Sequence, residues 1–219
     1  MSVGGQPLRP LRGAPERDAA IVIDQRLLPH RLHLETLRSA QQVHTAIRDM
    51  WVRGAPLIGA TAAYGLALQM RQDASDCALE DTADLLRLAR PTAVNLDWAI
   101  TRMLGLLRPL PAGQRAAAAW DAAEAIAEDD VRINAAIGRH GLPLLQAIAA
   151  RSGRTPGPVQ VLTHCNAGWL ATVDWGTATS PIYQAHAAGL PLLVIRSIAK
   201  NPARCPPADA LLDSSLRSE

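Results

Sequence analysis

The chain has 219 residues, enough for one large domain or two small ones with an ample apolar core. Its apolar share rests on Ala and Leu, with Phe absent and aromatics scarce, which favours helices packed through small side chains over a β-sandwich. The net charge of +2 is dispersed over single arginines and forms no stripe, so neither nucleic acid nor an anionic membrane is indicated as a partner, while small anionic ligands stay open.

Residues 1–18 are rich in Gly, Pro and Arg without a period and read as a flexible lead-in. Two short strands are expected next, over 21–24 and 31–37, with Leu32 and Leu34 alternating with polar neighbours. Ser39 and Gln42 form a capping box, after which Val43, Ile47 and Met50 share a helical face. Pro56 suits the first residue of another helix, lined on one side by Leu57, Thr61, Tyr64 and Leu68. Gly59 and Gly65 cost that helix roughly 1 kcal/mol each relative to Ala, so something must approach its backbone closely.

Helical spacing returns at Leu96, Ile100, Met103 and Leu107, after a loop holding Arg90 and Pro91. In the Ala-rich segment that follows, Ala119, Ala123, Ile126, Ile133 and Ile137 share a face until Gly138 and Gly141 end it. The shift to Arg, Ser, Gly, Thr and Pro over 151–157 marks a domain boundary. Beyond it a strand with Val159, Val161 and Leu162, a helix over 177–188 and a strand over 192–195 make one βαβ unit. The expected organisation is therefore a lead-in over 1–18, a mainly helical domain over 19–152, a βαβ unit over 153–195 and an atypical Pro-containing tail over 196–219. No apolar stretch reaches the ~20 residues of a bilayer span and no signal-peptide core opens the chain, so the cytoplasm is the default compartment. Cys77, Cys165 and Cys205 are an odd, widely spaced set, which suits a reducing environment.

Two stretches carry chemistry. Val52-Arg53-Gly54-Ala55-Pro56 sets an arginine and a glycine before a helix whose first amides are unpaired, an arrangement that receives phosphate; a surface arginine in a helix-entry turn would look the same locally. Arg90-Pro91-Thr92 repeats the theme less clearly. Cys165 ends an apolar strand, where a following helix would lower its pKa, and Asn166-Ala167-Gly168 keep the adjacent backbone bare; an inert buried cysteine is the alternative. His164 is adjacent but on the opposite face of a strand. Asp97 and Asp174 are lone carboxylates of the solvated or capping kind. His164, Cys165, His186 and Cys205 lack zinc-ligand spacing, so no metal is expected.

Taken jointly, VRGAPLIGATAAYGLAL (52–68), RPTAVNLDWAITRM (90–103) and LTHCNAGWLATVDWGTA (162–178) closely resemble the methylthioribose-1-phosphate isomerases, of the same superfamily as the initiation factor 2B regulatory subunits. Ile23-Asp24-Gln25 and Leu28-Pro29 are also similar to that family's start, and the likeness covers about residues 20–195. The resemblance implies an α/β fold: a mainly helical N-terminal domain with a short β element, then the incomplete beginning of a Rossmann-like domain. It assigns Arg53, Gly54, Ala55 and Arg90 to substrate binding and Cys165 to catalysis. The implied reaction turns 5-methylthioribose 1-phosphate into 5-methylthioribulose 1-phosphate in methionine salvage, with no cofactor, through either a proton or a hydride shift. A sugar-phosphate isomerase acting on ribose 1,5-bisphosphate and a non-catalytic regulatory subunit like initiation factor 2B are the alternatives.

The family continues with a Glu-Thr-Arg-Pro pattern, a substrate glutamine, a Gly-Ala-Asp-Arg motif bearing a catalytic aspartate, and an Asn-Lys pair. Here Ile195 is followed by Arg196-Ser197-Ile198-Ala199-Lys200 and none of these appears. The expectation is a chain cut short, by a frameshift, premature stop or misread gene, and impaired because the second catalytic group is missing. One βαβ unit cannot cover both faces of its sheet, so the C-terminal part is expected to be unstable or to depend on association, a homodimer being one form.

Overall fold

The computed structural model describes residues 1–151 and 157–197. The chain opens with a small hairpin, β1 (Ser2–Val3) and β2 (Gln6–Pro7), followed by an antiparallel sheet of order β3 (Leu11–Gly13), β4 (Ala20–Ile23) and β5 (Leu34–Leu37). The expectation that residues 1–18 lack regular structure is corrected by β3, whose Leu11 is fully buried opposite Val22. Arg9 and Arg17 tie the same stretch to Glu128, Asp121 and Glu124 farther along the chain. Composition hid this strand because its pairing is entirely with β4. The strand expected over 31–37 is shorter, and its alternating leucines are exposed: Leu32 precedes β5, and Leu34 lies on the face opposite the buried Leu37.

Ser39 starts α1 (Ala40–Arg48) by accepting the Gln42 amide at 3.2 Å, and Val43 and Ile47 then turn fully inward. The reciprocal half of the box slips by one residue, with Gln42 Oε1 accepting from the Arg38 amide at 2.6 Å. Met50 does not continue this face. It sits past the helix end at φ 60° and is exposed, where the chain reverses to place the Trp51 amide on the Ala46 carbonyl.

α2 (Ala55–Gln72) is the central helix, buried on nearly all sides by α1, α3 (Asp76–Ala89), α4 (Val94–Leu107) and α5 (Ala112–Arg151). Its glycines do what their cost requires: a Cβ on Gly59 would lie 2.6 Å from the Asn95 carbonyl oxygen, and one on Gly65 2.9 Å from Val43 Cγ1. In α4 the expected stripe Leu96, Ile100, Met103 and Leu107 is buried. α3 escaped the sequence reading because acidic and basic residues interrupt its stripe of Leu79, Ala83 and Leu86; Ser75, accepting the Ala78 amide at 3.2 Å, was its legible signal.

α5 corrects a second expectation, since the helix runs through Gly138, Gly141 and Pro143. These glycines are where α6 (Ser180–Ala187) crosses: a Cβ on Gly138 would stand 2.5 Å from Ser180 Oγ, and one on Gly141 2.5 Å from Pro181 Cγ. The buried stripe accordingly passes from Ala119, Ala123 and Ile126 through Asn134 to Gly138, leaving Ile133 and Ile137 exposed. β6 (Val159–His164) and β7 (Leu192–Ser197) pair in parallel, Val159 opposite Leu192, with α6 between them in sequence. Val159 is buried, whereas Leu162 is 71% exposed and Leu193 shares its open face. The boundary predicted at 151–157 falls mostly on residues 152–156, and most of the predicted tail on 198–219, both outside the described residues; β7 itself reaches Ser197, two residues into that tail.

Candidate functional site

The turn that starts α2 is fixed by one close approach. Gly54 has φ +106°, and a Cβ there would fall 2.5 Å from Ala171 Cβ and closer still to the Ala171 backbone. Ala171 belongs to a 3-10 turn, Trp169–Ala171, six residues beyond Cys165. The Arg53-Gly54-Ala55 turn and the segment following the cysteine, 117 positions apart from Gly54 to Ala171, thus lie in contact. Gln25 adds a second tie, its Nε2 donating to the Leu170 carbonyl at 2.7 Å. Gly54 offers no side-chain cap, so the first amides of α2 are not closed by one, and Arg53 and Ala55 beside them are exposed. The helix begins at Ala55, one residue before the proline expected to open it.

Arg90 caps the C-terminal end of α3 and is half-buried. The turn it opens leads into α4, whose Asn95 carbonyl rests against Gly59, one turn along α2 from Gly54. Both arginine segments therefore converge on the N-terminal half of α2. No hydrogen bond or ion pair engages the Arg53 or Arg90 side chain among the described residues, in contrast to Arg26, Arg87 and Arg108, each held by a carboxylate.

Cys165 directly follows β6, at φ 69°, exposed, with the thiol free. The left-handed conformation is uncommon for a residue with a side chain and stores local strain at this position. The expectation that a helix starts at the cysteine is corrected: the next α-helix opens at Ser180, so no helix terminus lies next to the thiol in sequence. The intervening loop closes on itself instead. Thr179 Oγ1 donates to the Ala167 carbonyl at 3.0 Å, the Gly176 amide to Thr172 Oγ1 at 3.0 Å, and Thr172 Oγ1 to the Asp174 carbonyl at 2.8 Å. Burying these polar groups requires this pairing. His164 is exposed, and its neighbour in sequence is not its partner in any hydrogen bond among the described residues.

Helix α5 anchors the loop from below. Asp130 Oδ2 accepts the Val173 amide at 2.7 Å, Ser180 Oγ donates to the Asn134 carbonyl at 2.6 Å, and Gln184 Nε2 donates to the Ala135 carbonyl at 2.9 Å. Burial holds the Asp130 carboxyl above the ordinary range despite the amide it accepts. Asp174, expected to be a lone solvated or capping carboxylate, is buried and accepts from the Trp175 amide and the Met1 ammonium at 2.8 and 2.7 Å. Asp97 pairs with Arg87 at 2.9 Å. Gln25, Asp130 and Asn134 were not among the predicted site residues. The signal for the last two was their placement four apart in the stripe that ends at Gly138, polar residues where an Ala-rich helix should bury carbon.

A cleft of about 440 Å³ opens beside this anchor, between α2, α4 and α5. All three sequence blocks reach it: Pro56 and Gly59 from the first, Val94, Asn95 and Trp98 from the second, Thr177 from the third. Cys165, Arg53 and Arg90 do not line it. Among the described residues, no group of three or more His, Cys, Asp or Glu is placed to hold a metal ion, and no helix is long and apolar enough to cross a membrane.

Comparison with known proteins places these features in context. Residues 51–197 match the initiation factor 2 subunit family. The chain is 54% identical over 194 residues to a methylthioribose-1-phosphate isomerase of Dechloromonas aromatica, an alignment covering 89% of this chain and 53% of that protein. Among solved structures, 5-methylthioribose 1-phosphate isomerase from Pyrococcus horikoshii superposes with a TM-score of 0.73 at 33% identity, over 86% of this chain and 52% of the other. The delta subunit of translation initiation factor eIF-2B from A. fulgidus gives the same TM-score at 36% identity, over 87% and 54%. The chain spans about half the length of the curated relatives it matches.

Proposed function

We propose, from the premise that this chain belongs to the initiation factor 2 subunit family, that it carries the cysteine-bearing part of an aldose–ketose isomerase site for 5-methylthioribose 1-phosphate. The observation that carries the reading is the packing of Gly54 on Ala171, which puts a turn suited to phosphate against the loop that follows Cys165. The 54% identity to a methylthioribose-1-phosphate isomerase supports the same substrate.

In this reading the open amides at Gly54 and Ala55, with the free guanidinium of Arg53, receive the 1-phosphate, and Arg90 supplies a second planar fork of donors. Because the phosphate blocks the anomeric oxygen, the ring cannot open as a free hemiacetal does; the C1–O4 bond breaks with a proton delivered to the ring oxygen before hydrogen passes between C2 and C1. Cys165 stands at the reacting carbons as acid or base, its exposed thiol held on a strained strand end. Proton and hydride routes share this geometry. The second acid–base group belongs to the remaining length of the relatives, so the catalytic unit is proposed at that full length. β6, α6 and β7 are the beginning of a Rossmann-like domain whose open face, with Leu162 and Leu193, is covered by further structure. The domain division near residue 152, cytoplasmic residence and homodimerisation go with this proposal.

The test joins residues 1–195 to the C-terminal remainder of the Dechloromonas relative and follows ketose formation. Cys165→Ser should cut turnover by about 10²-fold or more, with an unchanged melting transition because the side chain is exposed. Arg53→Ala should weaken substrate binding by ~2–3 kcal/mol. Full activity of the serine variant would sink the assignment. The likeness to an eIF-2B delta subunit favours a second reading, a regulatory binding module; sugar-phosphate binding without any turnover in the joined protein would select it.

A further inference from the structure

We propose that the cleft between α2, α4 and α5 receives the end of the substrate remote from the phosphate, with the 5-methylthio group seated among Trp98, Ile133 and Ile137. This rests on the isomerase reading above. Two observations lead to it. Val94, Trp98, Ile133 and Ile137 are large apolar side chains left exposed on facing helices, and they meet in one concavity of ligand size. Beside Ile133 on α5, Asn134 is only 2% exposed, donates from Nδ2 to the Asp130 carbonyl and carboxylate at 2.9 Å each, and leaves its Oδ1 with no hydrogen-bond partner. A buried acceptor without a donor is costly, and a hydroxyl group of a bound sugar supplies one.

Charge decides which end of the sugar phosphate enters. The polar wall carries two carboxylates, Asp129 and Asp130. Asp129 is shared between Arg102 at 3.2 Å and Arg132 at 2.8 Å, and Arg102 also covers the Trp98 ring at 5.5 Å, so the one cation in the cleft is already engaged. The wall offers a phosphate dianion no free cation, while a thioether gains polarisable contact at the edge of the Trp98 indole. The free arginines, Arg53 and Arg90, lie outside the cleft on the segments that lead into α2 and α4. The sugar is thereby oriented with phosphate at the helix entry and the methylthio carbon inward, and Asn95 and Thr177 flank the ribose.

The experiment uses the full chain with isoleucine methyl groups labelled with ¹³C, titrated with 5-methylthioribose 1-phosphate and with ribose 1-phosphate. The expected result is that both sugars shift the Gly54 amide, while only the thioether sugar shows S-methyl NOEs to Ile133 and Ile137. Ile133→Asp, at a half-exposed position, should keep the melting temperature and weaken binding of the thioether sugar about tenfold, leaving ribose 1-phosphate unchanged. S-methyl NOEs to other residues, with the Gly54 amide still shifting, would overturn the subsite and leave the isomerase reading standing. A Gly54 amide unmoved by either sugar would overturn both. Ile–Ile NOEs between differently labelled copies without sugar would assign the cleft to a second chain and likewise overturn the subsite.

Discussion

Gly54→Ala is the sharpest perturbation of the contact between the α2 entry and the cysteine loop. At φ +106° and ψ 134° the backbone lies where side-chain-bearing residues are strained, a cost of about 1–3 kcal/mol. The new methyl would also stand 2.5 Å from Ala171 Cβ, against an ordinary carbon–carbon contact of about 3.5–4 Å, and its other near neighbours are backbone atoms that cannot rotate away. Overpacking of this kind adds about 1–3 kcal/mol. Together they predict a loss of about 2–6 kcal/mol, or the opening of the contact so that strain is relieved and the loop detaches. Thermal unfolding followed by far-UV circular dichroism separates these, since the first outcome lowers the melting temperature by about 5–20 °C. The second leaves the helical melt near wild type and raises amide exchange at Ala171, Val173 and Gly176. Gly105→Ala is the control: nothing lies within 4 Å of its added Cβ, and a helix-interior exchange there should stabilise by up to ~1 kcal/mol. A Gly54→Ala protein matching wild type in both melting and exchange would refute the packing argument.

Arg115 is 4% exposed and donates to the carbonyls of Leu107 and Leu110 at 3.0 Å and Ala74 at 2.9 Å, so Arg115→Met should cost about 3–5 kcal/mol in urea unfolding, with charge-neutral replacement of Asp76 costing under 1. Asp24 is buried, and Arg26, donating from Nη2 at 2.7 Å, holds its carboxyl below the ordinary value of 3.8. The stability this pair contributes is present above 3.8 and is lost as pH falls through the lower folded value, so wild type and Asp24→Asn should converge in melting temperature on acidification; a gap that widens would refute the sign. Gly138→Ala should destabilise by about 1–3 kcal/mol through Ser180 and Gln184, and unchanged stability would show that α6 does not rest on α5 as described.

Local chemistry determined much of this protein before any packing was known. The cap at Ser39, the proline beside the start of α2 and the stripe of Leu96, Ile100, Met103 and Leu107 each depend on residues within a few turns of one another, so their periods survive in the linear text, and the βαβ unit showed as two contiguous apolar runs on either side of a helical segment. The three sequence blocks likewise announced the family because each is contiguous. What only the tertiary structure decided are the relations across long separations. Leu11 is a strand residue because Val22 pairs with it, and Gly138 and Gly141 are crossing points because Ser180 and Pro181 approach them. A glycine that ends a helix and one that admits a neighbour read identically in one dimension, since the missing Cβ serves both. The same limit hid Asp130 and Asn134, polar residues whose buried partners lie more than forty positions away in the loop after Cys165. Gly54 beside Ala171 is the extreme case, a contact with no local signature, because it exists only once α2 and the cysteine loop have both been placed by the core.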